Sequence, residues 1–100
     1  MHNDLVTKDD VVPPAALFAA LADPIRCRIV ELLRDEPLPV HRIARGFPVS
    51  RPAISRHLRL LRESGLVSEE RRGRENLYRL ETARLEDLVR WLARFWDRGD

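Results

Sequence analysis

Apolar residues recur at helical spacing through most of the chain, and the spacing shortens only once, after Gly65. Pro13-Pro14 introduces an alanine-rich run, Ala15–Ala22, with Leu17, Phe18 and Leu21 along one side, which predicts a first helix. Asp23-Pro24 signals a second start, because aspartate caps free N–H groups and proline at the first helical position gives up no bond it would have made. That helix is expected from Pro24 to Arg34, with Ile25, Ile29, Val30, Leu32 and Leu33 on a broad apolar face. Pro37 and Pro39 stop it, since proline cannot continue the hydrogen-bond ladder. Val40–Arg45 predicts a short third helix with Val40, Ile43 and Ala44 inward, closed by Gly46 as a left-handed cap. Ser50 is expected to cap a fourth helix that ends at Ser64-Gly65. Val49 before that cap and Ile54 inside the helix fit a hydrophobic staple. A helix, a short turn and a second helix at this spacing make a helix-turn-helix.

After Gly65 the pattern turns strand-like. Leu66–Glu70 and Asn76–Leu80 flank a polar turn, Arg71-Arg72-Gly73-Arg74-Glu75, which predicts a β-hairpin. A last helix is expected over Ala83–Trp96, with Leu85, Leu88, Val89, Leu92, Phe95 and Trp96 at helical spacing. The prediction is a mainly α domain with a small β-hairpin, a winged helix-turn-helix of four helices, two strands and a final helix. It occupies residues 13–100, behind a flexible arm over residues 1–12, which are polar, acidic and without period.

Composition narrows the function. The chain has 100 residues, the size of one domain. Its longest apolar stretch, Ala15–Ala22, is far shorter than the roughly 20 residues a bilayer span needs. Asp4, Asp9 and Asp10 stand where a signal peptide would be basic. Cys27 is the single cysteine, which excludes an internal disulfide and suits a reducing cytoplasm, the expected location. No nucleophile–base pair or phosphate-cradling glycine loop stands out, so no enzymatic activity is expected. Charge is unevenly spread. Residues 1–36 hold four bases against seven acids, net −3, and the tail from Leu80 holds four against five, net −1. Residues 37–79 hold ten arginines against four acids, net +6, the potential a polyanion would meet.

The fourth helix concentrates that charge on one side. At roughly 100° per residue, Ile54, Leu58 and Leu61 share a core face, while Arg51, Ser55, Arg59 and Arg62 point the other way with Pro52 and Arg56 beside them. Arginine forks match guanine O6 and N7, serine bonds base edges or phosphate, and the helix N-terminus favours phosphate. An amphipathic helix with a solvated basic face would look similar. The positioning helix Val40–Arg45 and a hairpin tip with Arg71, Arg72 and Arg74 tip the reading to duplex DNA, with the tip suited to the minor groove or to phosphates. The terminal helix, with Trp91 beside its apolar stripe, offers more apolar surface than so small a core can bury. It predicts a homodimer seam of Leu17, Phe18, Leu21, Leu85, Leu88, Val89, Leu92, Phe95 and Trp96.

Leu21-Ala22-Asp23-Pro24-Ile25-Arg26-Cys27-Arg28-Ile29-Val30-Glu31-Leu32-Leu33 resembles the opening of the ArsR/SmtB family of regulators. Val49–Val67, centred on Ser50-Arg51-Pro52-Ala53-Ile54-Ser55-Arg56-His57-Leu58, is similar to that family's reading helix, and Gly73–Tyr78 to its wing. The resemblance runs without a gap from Leu17 to Leu80. It implies a homodimeric repressor bound to a palindromic operator, often that of its own operon, with Arg51, Pro52, Ser55 and Arg56 in the major groove. The expected DNA-binding set is Ser50, Arg51, Pro52, Ser55, Arg56, His57, Arg59, Arg71, Arg72 and Arg74, with His57 open between a backbone contact and a packing role.

The sequence departs from the family's metal sensors. Leu38-Pro39-Val40-His41-Arg42 stands where arsenic-type sensors carry Cys-x-Cys. The last helix offers Glu86, Asp87 and Asp97 but none of the histidines of zinc-type sensors. His2, His41 and His57 are scattered, so no metal and no cofactor is expected. Two alternatives stay open: the same fold released from DNA by a metal or by oxidation at Cys27, and a winged helix that binds only protein or RNA.

Overall fold

The computed structural model describes residues 13–96. The arm expected over residues 1–12 and the end of the chain, residues 97–100, lie outside them. Five helices and a three-stranded sheet surround one apolar core.

Helix α1 (Ala15–Ala20) buries Leu17 and Ala20. Asp23 caps α2 (Pro24–Leu32), its Oδ2 accepting from the backbone N–H of Ile25 at 2.9 Å and of Arg26 at 3.1 Å. These bonds hold the Asp23 carboxyl below its ordinary pKa, the Arg26 N–H being the largest cause. Both helices end two residues before the sequence predicted.

The sequence reading also missed a strand. β1 (Leu38–Pro39) pairs antiparallel with β3 (Glu75–Leu80), Leu38 opposite Tyr78 and Pro39 opposite Leu77. Two residues are too few for period-2 alternation, and two nearby prolines read as a helix stop. The sheet order β1-β3-β2 puts β1 at an edge, where proline's missing N–H is tolerated. Pro39 then leads into α3 (Val40–Ala44).

Gly46 does not make the left-handed cap expected of it. Among the described residues only Gly65 and Gly73 have positive φ. The chain leaves α3 through tight i to i+3 bonds, Gly46 N–H to Ile43 O at 3.1 Å and Phe47 N–H to Ala44 O at 3.2 Å.

Helix α4 (Arg51–Ser64) begins where predicted. Ser50 Oγ accepts from Ala53 N–H at 3.2 Å, and Pro52 falls in the first turn, where its lack of a donor costs nothing. Its end is a Schellman cap on Gly65 at φ 89°, with Leu66 N–H bonded to Leu61 O and Gly65 N–H to Arg62 O. Ile54, Leu58 and Leu61 point into a core shared with Ile29, Ile43 and Leu66, all fully buried. Each such side chain contributes about 1.5–3 kcal/mol by leaving water, which fixes the helix's rotation and so its outward face.

Strand β2 (Val67–Arg72) pairs with β3 from Val67 opposite Leu80 to Arg72 opposite Glu75. The ladder is longer than predicted and leaves only Gly73-Arg74 as the loop. Gly73 at φ 62° takes the first central position, and Arg74 has no positive φ, which defines a type II′ turn. Helix α5 (Thr82–Ala93) begins one residue before the expected start and stops three short of the expected end, where Arg94, Phe95 and Trp96 continue it as i to i+3 turns.

Candidate nucleic-acid interface

Burying Ile54, Leu58 and Leu61 turns Arg51, Pro52, Ser55, Arg56 and Arg59 into solvent together. Ser50, also exposed, spends its hydroxyl on the helix cap. Arg51, Arg56 and Arg59 make no hydrogen bond or ion pair among the described residues. Arg42 and Arg45, exposed on and just after α3, are equally unpartnered. They were not in the predicted set. The signal was present, since inward Val40, Ile43 and Ala44 force both to the outside.

Elsewhere arginines are matched. Arg28 pairs with Glu31 and Arg34 with Asp35, each at 3.4 Å, and Arg84 and Arg90 both meet Asp87. Arg62, expected on the reading face, instead ion-pairs with Glu69 of β2. The Tyr78 hydroxyl donates to the other oxygen of that carboxylate at 3.3 Å. Burial, and then the neighbouring Glu69 charge, push the Tyr78 phenol above its ordinary pKa.

The hairpin tip separates its three arginines. Arg71 Nε donates to Gly73 O at 3.0 Å, folding the side chain over the turn. Arg72 and Arg79 grip Glu70 at 2.8 and 2.9 Å and hold its carboxyl below the usual range, Arg72 contributing most. Arg74, at the turn itself, is exposed and has no partner among the described residues.

His57 lies off the side of α4 that carries Arg51, Ser55 and Arg59. It sits half-buried at the junction of α4 with α2, where Arg26 Nη1 donates to its Nδ1 at 3.1 Å and Asp23 Oδ2 stands 3.9 Å away. Both neighbours belong to the start of α2.

The residues of the predicted seam divide. Leu17 and Leu88 are buried in the chain's own core, at 6% and 7% exposure, and Leu21 and Leu85 pack partly against it. Val89, Phe95 and Trp96 are 64%, 63% and 74% exposed, with Phe18 and Leu92 also at the surface. Trp91 links the two terminal helices, edge-on to Phe18 with ring centres 5.5 Å apart and to Phe95 at 4.9 Å.

Among the described residues no three His, Cys, Asp or Glu side chains converge as metal ligands. His41 is exposed on α3, and the half-buried Cys27 thiol donates to Leu21 O at 3.0 Å. His2 and Asp97 lie outside the described residues. No described helix is long and apolar enough to cross a membrane.

A positioning helix, a reading helix with unmatched arginines and an arginine-tipped hairpin define a winged helix-turn-helix DNA-binding regulator. Residues 23–69 match the model of the bacterial regulatory proteins of the arsR family. The chain is 36% identical to the transcriptional repressor SdpR of Bacillus subtilis, over 84% of this chain and 93% of that protein. It is 44% identical to the HTH-type transcriptional regulator Rv2034 of Mycobacterium tuberculosis, over 86% of this chain and 80% of that protein. In structure it is similar to the homodimeric winged helix-turn-helix DNA-binding domain of Mb0332 from Mycobacterium bovis, with TM-score 0.66 and 30% identity, covering 86% and 82% of the two chains. The chain belongs to the ArsR family. Its named relatives are transcriptional regulators and repressors, not enzymes.

Proposed function

We propose that this chain is a homodimeric repressor that binds a palindromic operator in duplex DNA. Helix α4 enters the major groove, and the hairpin lies on the minor groove or the phosphate backbone. The observation that carries this reading is how arginine partners are distributed. Arginines away from the helix-turn-helix and the hairpin tip have a protein partner, while Arg42, Arg45, Arg51, Arg56, Arg59 and Arg74 have none among the described residues. Unmatched cations gathered on one side of a small domain are what a polyanionic ligand neutralises.

Within that set, Arg51, Ser55 and Arg56 on the first turns of α4 are the base-reading side chains, and small Pro52 lets the backbone approach the groove floor. Ser50 holds the helix end toward a phosphate. Arg59 and Arg74 contact phosphates, joined by Arg71 and Arg72 where they reach past their internal partners. Occlusion of a promoter needs no chemistry beyond this binding. Two copies joined through Phe18, Val89, Leu92, Phe95 and Trp96 would set two reading helices roughly 34–36 Å apart, one turn of DNA.

The test is binding of Arg51→Ala and Arg56→Ala to a duplex that the wild-type chain selects from a randomised library. Each is expected to cost about 1–3 kcal/mol on that duplex and far less on a scrambled one. A double variant that keeps wild-type affinity and preference would remove α4 from the interface. It would leave a winged helix for protein or RNA.

A further inference from the structure

His57 lies off the face proposed to meet DNA, and it ties the reading helix to the start of α2. Its partner, Arg26, stands in the first turn of α2. One guanidinium gathers three elements: Nε donates to Ala20 O at 2.7 Å and Nη2 to Ala19 O at 3.4 Å, both on the last turn of α1, and Nη1 donates to His57 Nδ1 at 3.1 Å. A guanidinium only donates, so Nδ1 accepts and the ring proton sits on Nε2. Asp23 completes the junction: its carboxylate caps α2, accepts from Arg26 N–H and lies 3.9 Å from the same His57 nitrogen. A planar fork with fixed donors sets direction as well as distance, which apolar packing around Leu58 does not.

We propose that Arg26 is a positioning residue for sequence reading: through His57 it sets the pitch and rotation of α4 relative to α1 and α2. This rests on α4 being the helix that reads DNA. A shift of about an ångström breaks bidentate contacts to bases, whereas phosphate attraction tolerates it. Loss of the junction therefore lowers discrimination and leaves the electrostatic part of binding intact. The same guanidinium holds the end of α1, whose Phe18 meets Trp91 of α5, so a shift of the terminal helices has a direct route to the reading helix.

The experiment measures affinity for the wild-type-selected duplex and for a scrambled duplex across a salt series, for Arg26→Gln, His57→Leu, His57→Asn and the double variant Arg26→Gln/His57→Leu. Arg26→Gln and His57→Leu are each expected to cut the preference for the selected duplex by about tenfold with an unchanged salt slope. The double variant should lose little more than either single one, because both break the same bond. His57→Asn, whose Oδ1 stands near the place of Nδ1, keeps an acceptor for Arg26 and should keep most of the preference. A salt slope reduced by about one in Arg26→Gln would make Arg26 a phosphate contact and overturn the proposal. So would fully additive losses, or equal preference in His57→Leu and wild type. Should Arg26→Gln fail to fold, the two His57 variants decide alone, with equal loss in both counting against the proposal. Arg51→Ala separates the two readings. If it abolishes preference while His57→Leu does not, only the positioning role falls; if neither has an effect, both fall.

Discussion

Arg62 on the last turn of α4 is ion-paired with Glu69 on β2, so the hairpin is tied to the far end of the reading helix from the one that carries Arg51. Tyr78 on β3 shares that carboxylate, and its ionisation reports on the contact. Losing the phenolic proton would put a second negative charge beside Glu69 in a half-buried place, so the folded state holds the proton more tightly than the unfolded chain. Stability from this source is fully present below the unfolded value near pH 10 and is lost as pH rises through the higher folded value. Tyr78 is the chain's only tyrosine, and the absorbance of tyrosinate reads it alone. Its midpoint should exceed 10.0 and move back toward that value in Glu69→Gln. An unshifted wild-type midpoint would mean that Tyr78 is neither buried nor beside the Glu69 carboxylate.

Gly65 and Gly46 should respond oppositely to alanine. At Gly65, φ is 89° and a Cβ would stand 3.0 Å from Arg84 Nε. The backbone penalty alone is about 1–2 kcal/mol, and the flexible end of Arg84 has to give way. At Gly46 the nearest atoms to a Cβ would be Ile43 O at 3.6 Å and Leu32 Cδ1 at 3.8 Å, ordinary contacts, with no positive φ. Gly46→Ala should be neutral or stabilise by up to about 1 kcal/mol, since it reduces unfolded-chain freedom. Urea unfolding of the two variants measures both, and a clear loss at Gly46 would contradict the observed turn.

The helices were legible in the sequence because each carries its own start signal or stripe: Asp23-Pro24, Ser50 before Ile54, and the leucines of α5. What was not legible depended on distant partners. β1 exists because β3 comes to lie beside Leu38, and no local pattern in two residues carries that information. Gly46 has the composition of a left-handed cap but sits in a connection tight enough to close without one. The basic face of α4 was readable by period, yet which of its residues stay free was not. Arg62 lies on that face by angle and is taken by Glu69, and His57 is taken by Arg26, each through a partner from another element.

The seam can be tested without DNA. Val89→Glu and Trp96→Glu each place a charge on exposed apolar surface, and both chains should fold but sediment as monomers where wild type is a dimer. Leu88→Glu should unfold the protein instead, because Leu88 belongs to the internal core. Dimers that survive both exposed substitutions would put the seam elsewhere.

Salt dependence separates free arginines from matched ones. Arg42→Ala, Arg45→Ala and Arg74→Ala should each lower the slope of log affinity against log salt by about one, as the loss of a phosphate contact does. Arg28→Ala and Arg34→Ala remove cations already paired with Glu31 and Asp35 and should leave it unchanged. Equal effects across the two groups would mean that diffuse charge, rather than a defined face, binds DNA.

The claim that two copies of α4 read successive major grooves is tested most directly by methylation protection of guanine N7 on the selected duplex. N7 opens only into the major groove. The account predicts two protected clusters, symmetric about the centre of the site and roughly 10–10.5 base pairs apart, both lost in Arg51→Ala/Arg56→Ala. Binding that leaves every guanine N7 open, or protects a single cluster, would contradict it.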